Sequence, residues 1–211
     1  MTIASQRLSR HFAALALALA LLVPLFGTPS SAVAEESFDL PMNLQGNLML
    51  AQSGTGGRRS SMLQIRIREW TTEEERHQIL SEIQESSAQG GRNHNRAVAR
   101  ALRGGSRVGT LNVPGGTGWS LRYSRVGKTS EGKYRIILAT DRPVAFAEAW
   151  NSSMAGEFDV SVIQLTLDAE GKGEGTLSLG TEVRWNSETE RLEVTNLSSQ
   201  PIRFGDVRRT N

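Results

Sequence analysis

The fold is indicated most clearly by residues 162–179, which read Val162-Ile-Gln-Leu-Thr-Leu-Asp-Ala-Glu-Gly-Lys-Gly-Glu-Gly-Thr-Leu-Ser-Leu179. Apolar and polar residues alternate on both sides of a glycine-rich centre, which is typical of two strands that each bury one face. The centre, from Asp168 to Gly175, contains the residue types that favour a tight turn. The stretch therefore predicts an antiparallel β-hairpin.

Similar alternating runs occupy most of the chain beyond residue 106. The earliest strand is predicted at Leu63 to Arg68, where apolar residues alternate with Gln64 and charged residues. Together the runs predict about nine short strands, of which the other eight cover 107–113, 118–126, 133–139, 144–150, 158–167, 175–185, 190–197 and 201–208. Sequential hairpins favour an antiparallel sandwich or barrel.

Two helices are predicted between the first strand and the second. Thr71-Thr72-Glu73-Glu74-Glu75 contains two overlapping S/T-x-x-E motifs, in which a hydroxyl and a glutamate cap free backbone donors. Apolar residues at Ile79 and Ile83 continue this helix, and a second helix is expected to end near Gly104. The predicted fold class is therefore α+β, predominantly β, with two helices inserted after the first strand.

The first 34 residues differ in composition from the rest of the chain. Their formal charges are Arg7 and Arg10, followed by an apolar run over residues 13–26 and the small-residue exit Ala32-Val33-Ala34. This run is too short to span a bilayer comfortably as a helix. We expect residues 1–34 to be a secretory signal peptide. The mature protein would then pass through the general secretion route to the periplasm or the cell exterior, with no membrane span left after cleavage.

The segment from 35 to 61 is predicted to be a flexible linker. It includes Gln52-Ser-Gly-Thr-Gly-Gly-Arg-Arg-Ser-Ser61, which lacks apolar periodicity and favours open, solvated backbone. A single β-rich globular domain is expected over residues 62–211.

Charge and cysteine content exclude several functions. Without Arg7 and Arg10, the 24 Lys+Arg of the whole chain become 22, which equals the 22 Asp+Glu. A net charge of zero gives no support for nucleic-acid binding, which needs a clustered excess of Lys and Arg. The chain has no cysteine, which excludes a thiol nucleophile and a Cys-ligated zinc site. We expect no cofactor.

The runs Ile136-Ile-Leu-Ala-Thr-Asp-Arg-Pro143 and Val162 to Leu179 resemble a group of exported bacterial proteins of unassigned function. The resemblance extends from near Leu63 to Asp206-Val-Arg208. It implies bacterial export and one compact domain, and it implies no activity, cofactor or catalytic residue.

The sequence offers few groups for catalysis. His77 and His94 are expected to be solvated, and they do not form a metal site with the required number of ligands. Asp141 and Glu148 are a candidate pair for a carboxylate-dependent hydrolase of cell-envelope polymer, since glycosidases use two neighbouring carboxyl groups. The stretch Thr140-Asp141-Arg142-Pro143 is either functional or structural.

Two sets of residues are candidates for binding. Aromatic placement suggests a ligand cavity, because large amphipathic rings line many such sites; its expected members are Trp119, Tyr123, Phe146 and Trp150. A basic stripe on the second helix suggests an anion-binding module; its members are Arg92, Arg96, Arg100 and Arg103. The alternative interpretation of the stripe is a solvated face paired with the acidic first helix.

The leading hypothesis is a non-enzymatic exported domain that binds a small amphipathic ligand or a protein partner. The lack of thiols, paired histidines and recognisable nucleophile motifs favours binding over catalysis. The hydrolase and the anion-binding module are the two alternatives.

Overall fold

The computed structural model describes residues 38–50, 59–87, 91–113, 118–144, 160–178, 181–186, 191–196 and 202–210. These residues form ten strands and two helices. In chain order they are β1 (Met42–Leu50), β2 (Arg59–Ile67), α1 (Glu73–Ser87), α2 (Gly91–Gly104), β3 (Gly109–Asn112), β4 (Trp119–Lys128), β5 (Tyr134–Thr140), β6 (Val162–Leu167), β7 (Gly173–Ser178), β8 (Thr181–Asn186), β9 (Arg191–Asn196) and β10 (Ile202–Thr210).

Eight strands form a closed barrel in the order β1-β10-β7-β6-β5-β4-β3-β2, and β2 returns to pair with β1. Every neighbouring pair in the barrel is antiparallel. β8 and β9 form a separate two-stranded sheet. The predicted antiparallel, β-rich architecture with two helices is confirmed, and eight of the ten described strands form a barrel rather than a sandwich. The helices follow the second strand rather than the first, because β1 precedes the strand that was expected to come first.

The predicted linker over residues 35–61 is wrong where β1 and the start of β2 occupy it. Met42, Leu44 and Leu48 are buried and alternate with polar residues, so this segment follows the period of a strand. β1 pairs with both β2 and β10 and thereby closes the barrel. The glycine-rich residues 51–58 and the predicted signal peptide over 1–34 lie outside the described residues.

Two further strand predictions are modified. The predicted strand over 175–185 is divided between β7, in the barrel, and β8, in the separate hairpin. The predicted strand over 144–150 lies outside the described residues, except for Val144, which is not in a strand. The predicted turn over 168–175 is present between β6 and β7, and a similar turn joins β4 to β5; each contains a left-handed glycine, Gly171 (φ 77°) and Gly132 (φ 77°) respectively.

Apolar side chains from the eight barrel strands fill the barrel interior. Among the described residues, the largest fully buried side chain is Phe204 of β10. A Cβ atom on Gly175 would collide with the Phe204 ring, and one on Gly46 would lie 3.1 Å from it. Two glycines on the neighbouring strands therefore leave the space that this ring occupies.

The two helices pack on the outer surface of the barrel wall at β4, β5 and β6. Ile79 and Ile83 of α1 form one buried cluster with Ala139 of β5, whereas the adjacent Leu138 belongs to the interior cluster. Since neighbouring strand residues face opposite sides, the helix cluster lies outside the barrel. Within the described ranges, neither helix is both long enough and apolar enough to cross a membrane.

The start of α1 uses one of its two possible capping boxes. Glu75 N donates to Thr72 Oγ1 at 3.2 Å, and Thr72 N donates to Glu75 Oε2 at 3.2 Å, which satisfies free donors in the first turn. Thr71 instead joins the helix entry to β4, since its Oγ1 accepts a hydrogen bond from Ser124 N at 2.9 Å.

Candidate binding surface

Asp141, one of the two candidate catalytic carboxylates, is held in an ion pair that supports the fold. Arg122 Nε lies 3.2 Å from Asp141 Oδ2, and the two side chains are 25% and 14% exposed. Arg122 also donates from Nη1 to the Gly105 carbonyl at 3.2 Å, which ties the end of α2 to the barrel. Glu148, the other candidate, lies outside the described residues.

The rest of the 140–143 turn is also engaged in structural contacts. Thr140 Oγ1 donates to the Arg142 carbonyl at 2.7 Å and accepts from Ser161 N at 3.0 Å. Arg142 donates to the Gly118 carbonyl at 2.7 Å, and its guanidinium carbon lies 6.0 Å from the centre of the Trp119 ring. These contacts brace the end of β5 against its neighbours.

Trp119 and Tyr123, two members of the predicted aromatic cavity, face opposite sides of the barrel wall. Trp119 belongs to the interior cluster, whereas Tyr123 packs against the helix cluster. The register between β4 and β5 shifts between Leu121 and Tyr123, and such a bulge re-aims the side chains that follow it. The two rings therefore do not line one cavity. Phe146 and Trp150 lie outside the described residues.

The prediction of two solvated histidines is wrong for His94. His77 is exposed on α1, but His94 is 1% exposed between the helices, with Nδ1 3.0 Å from Ser86 Oγ. The neighbouring apolar positions of α2 place it on the buried face of the helix. In the part of the chain that the structure describes, His, Asp and Glu side chains do not gather in a group of three that suits a metal ion.

The arginine stripe of α2 faces solvent. Arg96, Arg100 and Arg103 are exposed, and Arg103 Nε donates to the Ala99 carbonyl at 3.2 Å. Arg96 and Arg100 form no ion pair with another described residue. On α1, Glu73 instead pairs with Arg76 and Arg125. The side chain of Arg92 lies outside the described residues.

The opposite part of the barrel wall carries a polar outer face. The outward side chains of β10, β1, β2 and β3 are exposed or half-buried there. We call this surface the amide face, because five of its members are Asn or Gln residues; it comprises Asn43, Gln45, Asn47, Met62, Gln64, Arg66, Thr110, Asn112, Arg208 and Thr210.

Strand register arranges these side chains in transverse rows. In one row, Gln45 lies between Arg208 on β10 and Gln64 on β2, and Gln64 pairs in turn with Asn112 on β3. Neighbouring strands are separated by ~4.8 Å. The amide groups are therefore spaced closely enough for one ligand to contact several of them.

Arg208 begins this row next to a second cation. Gly173 of β7 pairs with Val207 of β10, and Arg209 N donates to the Gly171 carbonyl at 3.1 Å. The same antiparallel register places Lys172 opposite Arg208. Both side chains are exposed, and neither forms an ion pair with another described residue.

A groove of about 450 Å³ lies at this end of the amide face. It is lined by Gln45, Gly46, Asn47, Met62, Lys172, Gly173, Asp206, Val207 and Arg208. A second groove, of about 350 Å³, shares Gln45 and continues over β2 and β3 past Gln64, Arg66, Thr110 and Asn112. We call the first of these the bulge groove.

The bulge groove owes its shape to an extra residue in β10. In a regular strand, residues three positions apart face opposite sides, yet Phe204 and Val207 both pack in the interior. The strand register also shifts between these two residues, both against β1 and against β7. Asp206, within the bulge, has the left-handed φ of 51°, which is uncommon for a residue with a side chain. Its Oδ2 accepts a hydrogen bond from Asn47 Nδ2 at 3.4 Å.

Several polar groups on the amide face are available to a ligand. Among the described residues, the side chains of Asn43, Gln45, Arg66 and Arg208 contact no hydrogen-bonding partner. A carboxamide both donates and accepts hydrogen bonds, whereas a guanidinium only donates them. The face can therefore recognise a ligand that is rich in hydroxyl or carboxylate groups.

Sequence analysis missed this surface because its central strand lies in the predicted linker. The signal was present in Met42, Leu44 and Leu48, which alternate with Asn43, Gln45 and Asn47. The same period predicts the neighbouring strand that begins at Leu63. The amide residues of β1 are simply the polar half of that alternation.

Comparison with models of protein families, with curated proteins and with solved structures finds no match to this chain.

Proposed function

We propose that the protein is a non-enzymatic exported domain that binds a polar ligand on the amide face. The observation that carries this proposal is the row of Arg208, Gln45, Gln64 and Asn112, which presents adjacent hydrogen-bonding groups on four strands. The rigid barrel beneath holds their backbones in a fixed register. Little conformational freedom of the backbone is then lost when a ligand binds.

The location of the proposed site differs from the cavity expected for a small amphipathic ligand. Trp119 belongs to the filled interior, and Tyr123 is occupied by packing against the helices. An outer surface of amides suits a hydroxyl-rich polymer of the cell envelope better than it suits a fatty acid. This preference follows from the hydrogen-bonding inventory of the face.

A hydrolase based on Asp141 and Glu148 receives less support. The described partner of Asp141 is Arg122, which also anchors α2 through the Gly105 carbonyl. Removal of the Asp141 carboxylate is therefore expected to lower the stability of the fold, whether or not the residue takes part in a reaction. Anion binding by α2 is a second candidate function, favoured by Arg96 and Arg100, which are exposed and form no ion pair with another described residue.

The test uses the side-chain amide signals of the protein in NMR. The isotope-labelled protein, exported by its own host, is titrated with neutral and acidic oligosaccharides, a fatty acid and an aromatic amine. We expect an oligosaccharide to shift the amide signals of Gln45 and Gln64. Shifts that map instead to Trp119 or to α2, or the absence of shifts with every probe, would contradict the proposal.

A matched pair of variants separates the site from a general loss of exposed amides. Gln45→Ala with Gln64→Ala removes two amides from the row, whereas Gln78→Ala with Gln84→Ala removes two exposed amides from α1. Binding should weaken at least tenfold in the first variant and stay unchanged in the second. Equal effects in the two variants would contradict a site on the amide face.

A further inference from the structure

We propose that the bulge groove binds an acidic sugar residue, with its carboxylate held between Lys172 and Arg208. This inference deepens the proposed function and rests on it, since it names the ligand class for one end of the amide face. The cation pair, the flanking amides and one exposed apolar side chain each support it independently.

The cation pair supplies the first argument. Lys172, in the turn that leads into β7, lies opposite Arg208 of β10, and within the described part of the chain neither forms an ion pair with a carboxylate. Like charges directly across a strand pair are destabilising. A bound anion relieves this repulsion, and an arginine fork fits a carboxylate through two hydrogen bonds.

The net charge of the groove favours a carboxylate over a phosphate monoester. Lys172 and Arg208 contribute two positive charges, and Asp206 contributes one negative charge, which leaves one positive charge in the lining. A phosphate monoester carries about −1.5 to −2 at neutral pH. A single carboxylate matches the remaining charge more closely, and it avoids stronger repulsion from Asp206.

The remaining lining fits the body of a sugar. Gln45 and Asn47 supply amide groups beside the cation pair, and these can donate to and accept from hydroxyls. Met62 is 43% exposed and is the large hydrophobic side chain most open to solvent among the described residues. Its flexible, polarizable thioether suits the C–H face of a pyranose ring. An acidic peptide would pair with the two cations, but it has no ring of hydroxyl groups to contact the amides of Gln45 and Asn47 together with the Met62 side chain.

The binding test compares three probes that differ in one property at a time. Tetragalacturonate carries carboxylates on a sugar backbone, its carboxyl-reduced form has the same backbone without charge, and tetraglutamate has the charge without the sugar. Calorimetry at low and physiological salt should show the tightest binding for tetragalacturonate, weakened by salt because the contact is ionic. Equal binding of tetraglutamate would overturn the sugar assignment.

Charge-removing variants locate the site. Lys172→Gln with Arg208→Gln removes two positive charges from the groove, and Arg96→Gln with Arg100→Gln removes two from α2. The groove variant should bind tetragalacturonate at least tenfold more weakly, whereas the α2 variant should match the unmodified protein. The reverse result would overturn the inference and assign anion binding to the helix.

The neutral probe separates failure of this inference from failure of the proposed function. If the reduced tetramer binds as well as tetragalacturonate and the groove variant has no effect, the amide face still binds sugars but the carboxylate site is wrong. If no tetramer binds while the folded state is intact, both proposals fail. The variant Asp206→Asn should have the opposite effect to the groove variant. It should bind tetragalacturonate severalfold more tightly, because it removes a negative charge from the groove.

Discussion

Arg122 and Asp141 join β4 to the turn after β5 through an ion pair with an Nε to Oδ2 distance of 3.2 Å. The same guanidinium contacts the carbonyl of Gly105 at the end of α2. The Arg122 side chain therefore links the barrel wall, the 140–143 turn and the end of α2. Asp141 has a structural role in this arrangement, as the charged acceptor of Arg122.

We predict that Asp141→Ala lowers the free energy of unfolding by about 1 to 2 kcal/mol, because a half-buried guanidinium loses its charged acceptor. Urea unfolding measures this change. Glu131→Ala is the matched control, since Glu131 pairs with Lys133 at 3.4 Å with both side chains more than half exposed, and such pairs contribute little. Similar losses in both variants would contradict a special role for the Arg122 contact.

Glu75 gives a prediction for pH dependence. The hydrogen bond from the Ser106 hydroxyl lowers the pKa of Glu75 below its usual value of 4.5, with further support from Thr72, while partial burial opposes the shift. A lowered folded pKa means that this stabilisation is present above the unfolded value and is lost as the pH falls through the folded value.

Ser106→Ala should therefore raise the pKa of Glu75 towards its usual value, and NMR titration of the Glu75 carboxylate measures it. As the pH falls below about 5, the free energy of unfolding should also decrease less in this variant than in the unmodified protein, because the variant has less of the stabilisation that protonation of Glu75 removes. An unchanged Glu75 titration in Ser106→Ala would assign the lowered pKa to Thr72 and to the backbone N–H of residue 106, which alanine retains.

Gly175 and Phe204 give a prediction for the barrel interior. A Cβ on Gly175 would meet the Phe204 ring and would also lie 2.7 Å from Leu165 Cδ2. We expect Gly175→Ala to lower the free energy of unfolding by about 1 to 3 kcal/mol, because an overpacked core must shift side chains or backbone.

A double-mutant cycle identifies the collision partner. Combined with Phe204→Leu, the Gly175→Ala change should cost less than it does in the original background, since the smaller side chain opens the space that the new methyl needs. Additive losses would show that Leu165 rather than Phe204 sets the limit.

Asp206 gives a prediction for the β10 bulge. Alanine at this position would retain the left-handed backbone without a polar side chain to bond locally, so Asp206→Ala should lower the free energy of unfolding by about 1 kcal/mol. Glycine adopts φ 51° without strain, so Asp206→Gly should be more stable than Asp206→Ala in urea unfolding. The opposite order would show that the side-chain contact to Asn47 outweighs the backbone effect.

Local periodicity was sufficient to predict the hairpin of residues 162–179 and the two helices, because each is specified by residues close in the chain. It failed at β1, where the glycine-rich residues after Leu50 led to a linker being drawn through a strand that obeys the same alternation. The glycine-rich composition of residues 51–58 thus outweighed the apolar–polar alternation of residues 42–48 in that prediction.

The candidate site depends on information that local patterns do not contain. Gln45 and Arg208 become neighbours through the register of β1 against β10, and the register depends on the bulge at Asp206. Likewise, the bulge before Tyr123 separates it from Trp119, although the two residues have the spacing of one strand face. Bulges arise from how a strand meets its partners, so single-strand alternation does not reveal them.

The pairing of β1 with β10 also governs when the barrel can form. Asn47 and Asp206, which meet across this pair, are 159 positions apart in the chain, and closing so long a loop is slow compared with forming a hairpin. Until β10 has emerged, β1 and β7 each present an unpaired edge. If the chain is exported unfolded, as we propose, this order of events delays a compact state until the last strand of the barrel is available to pair.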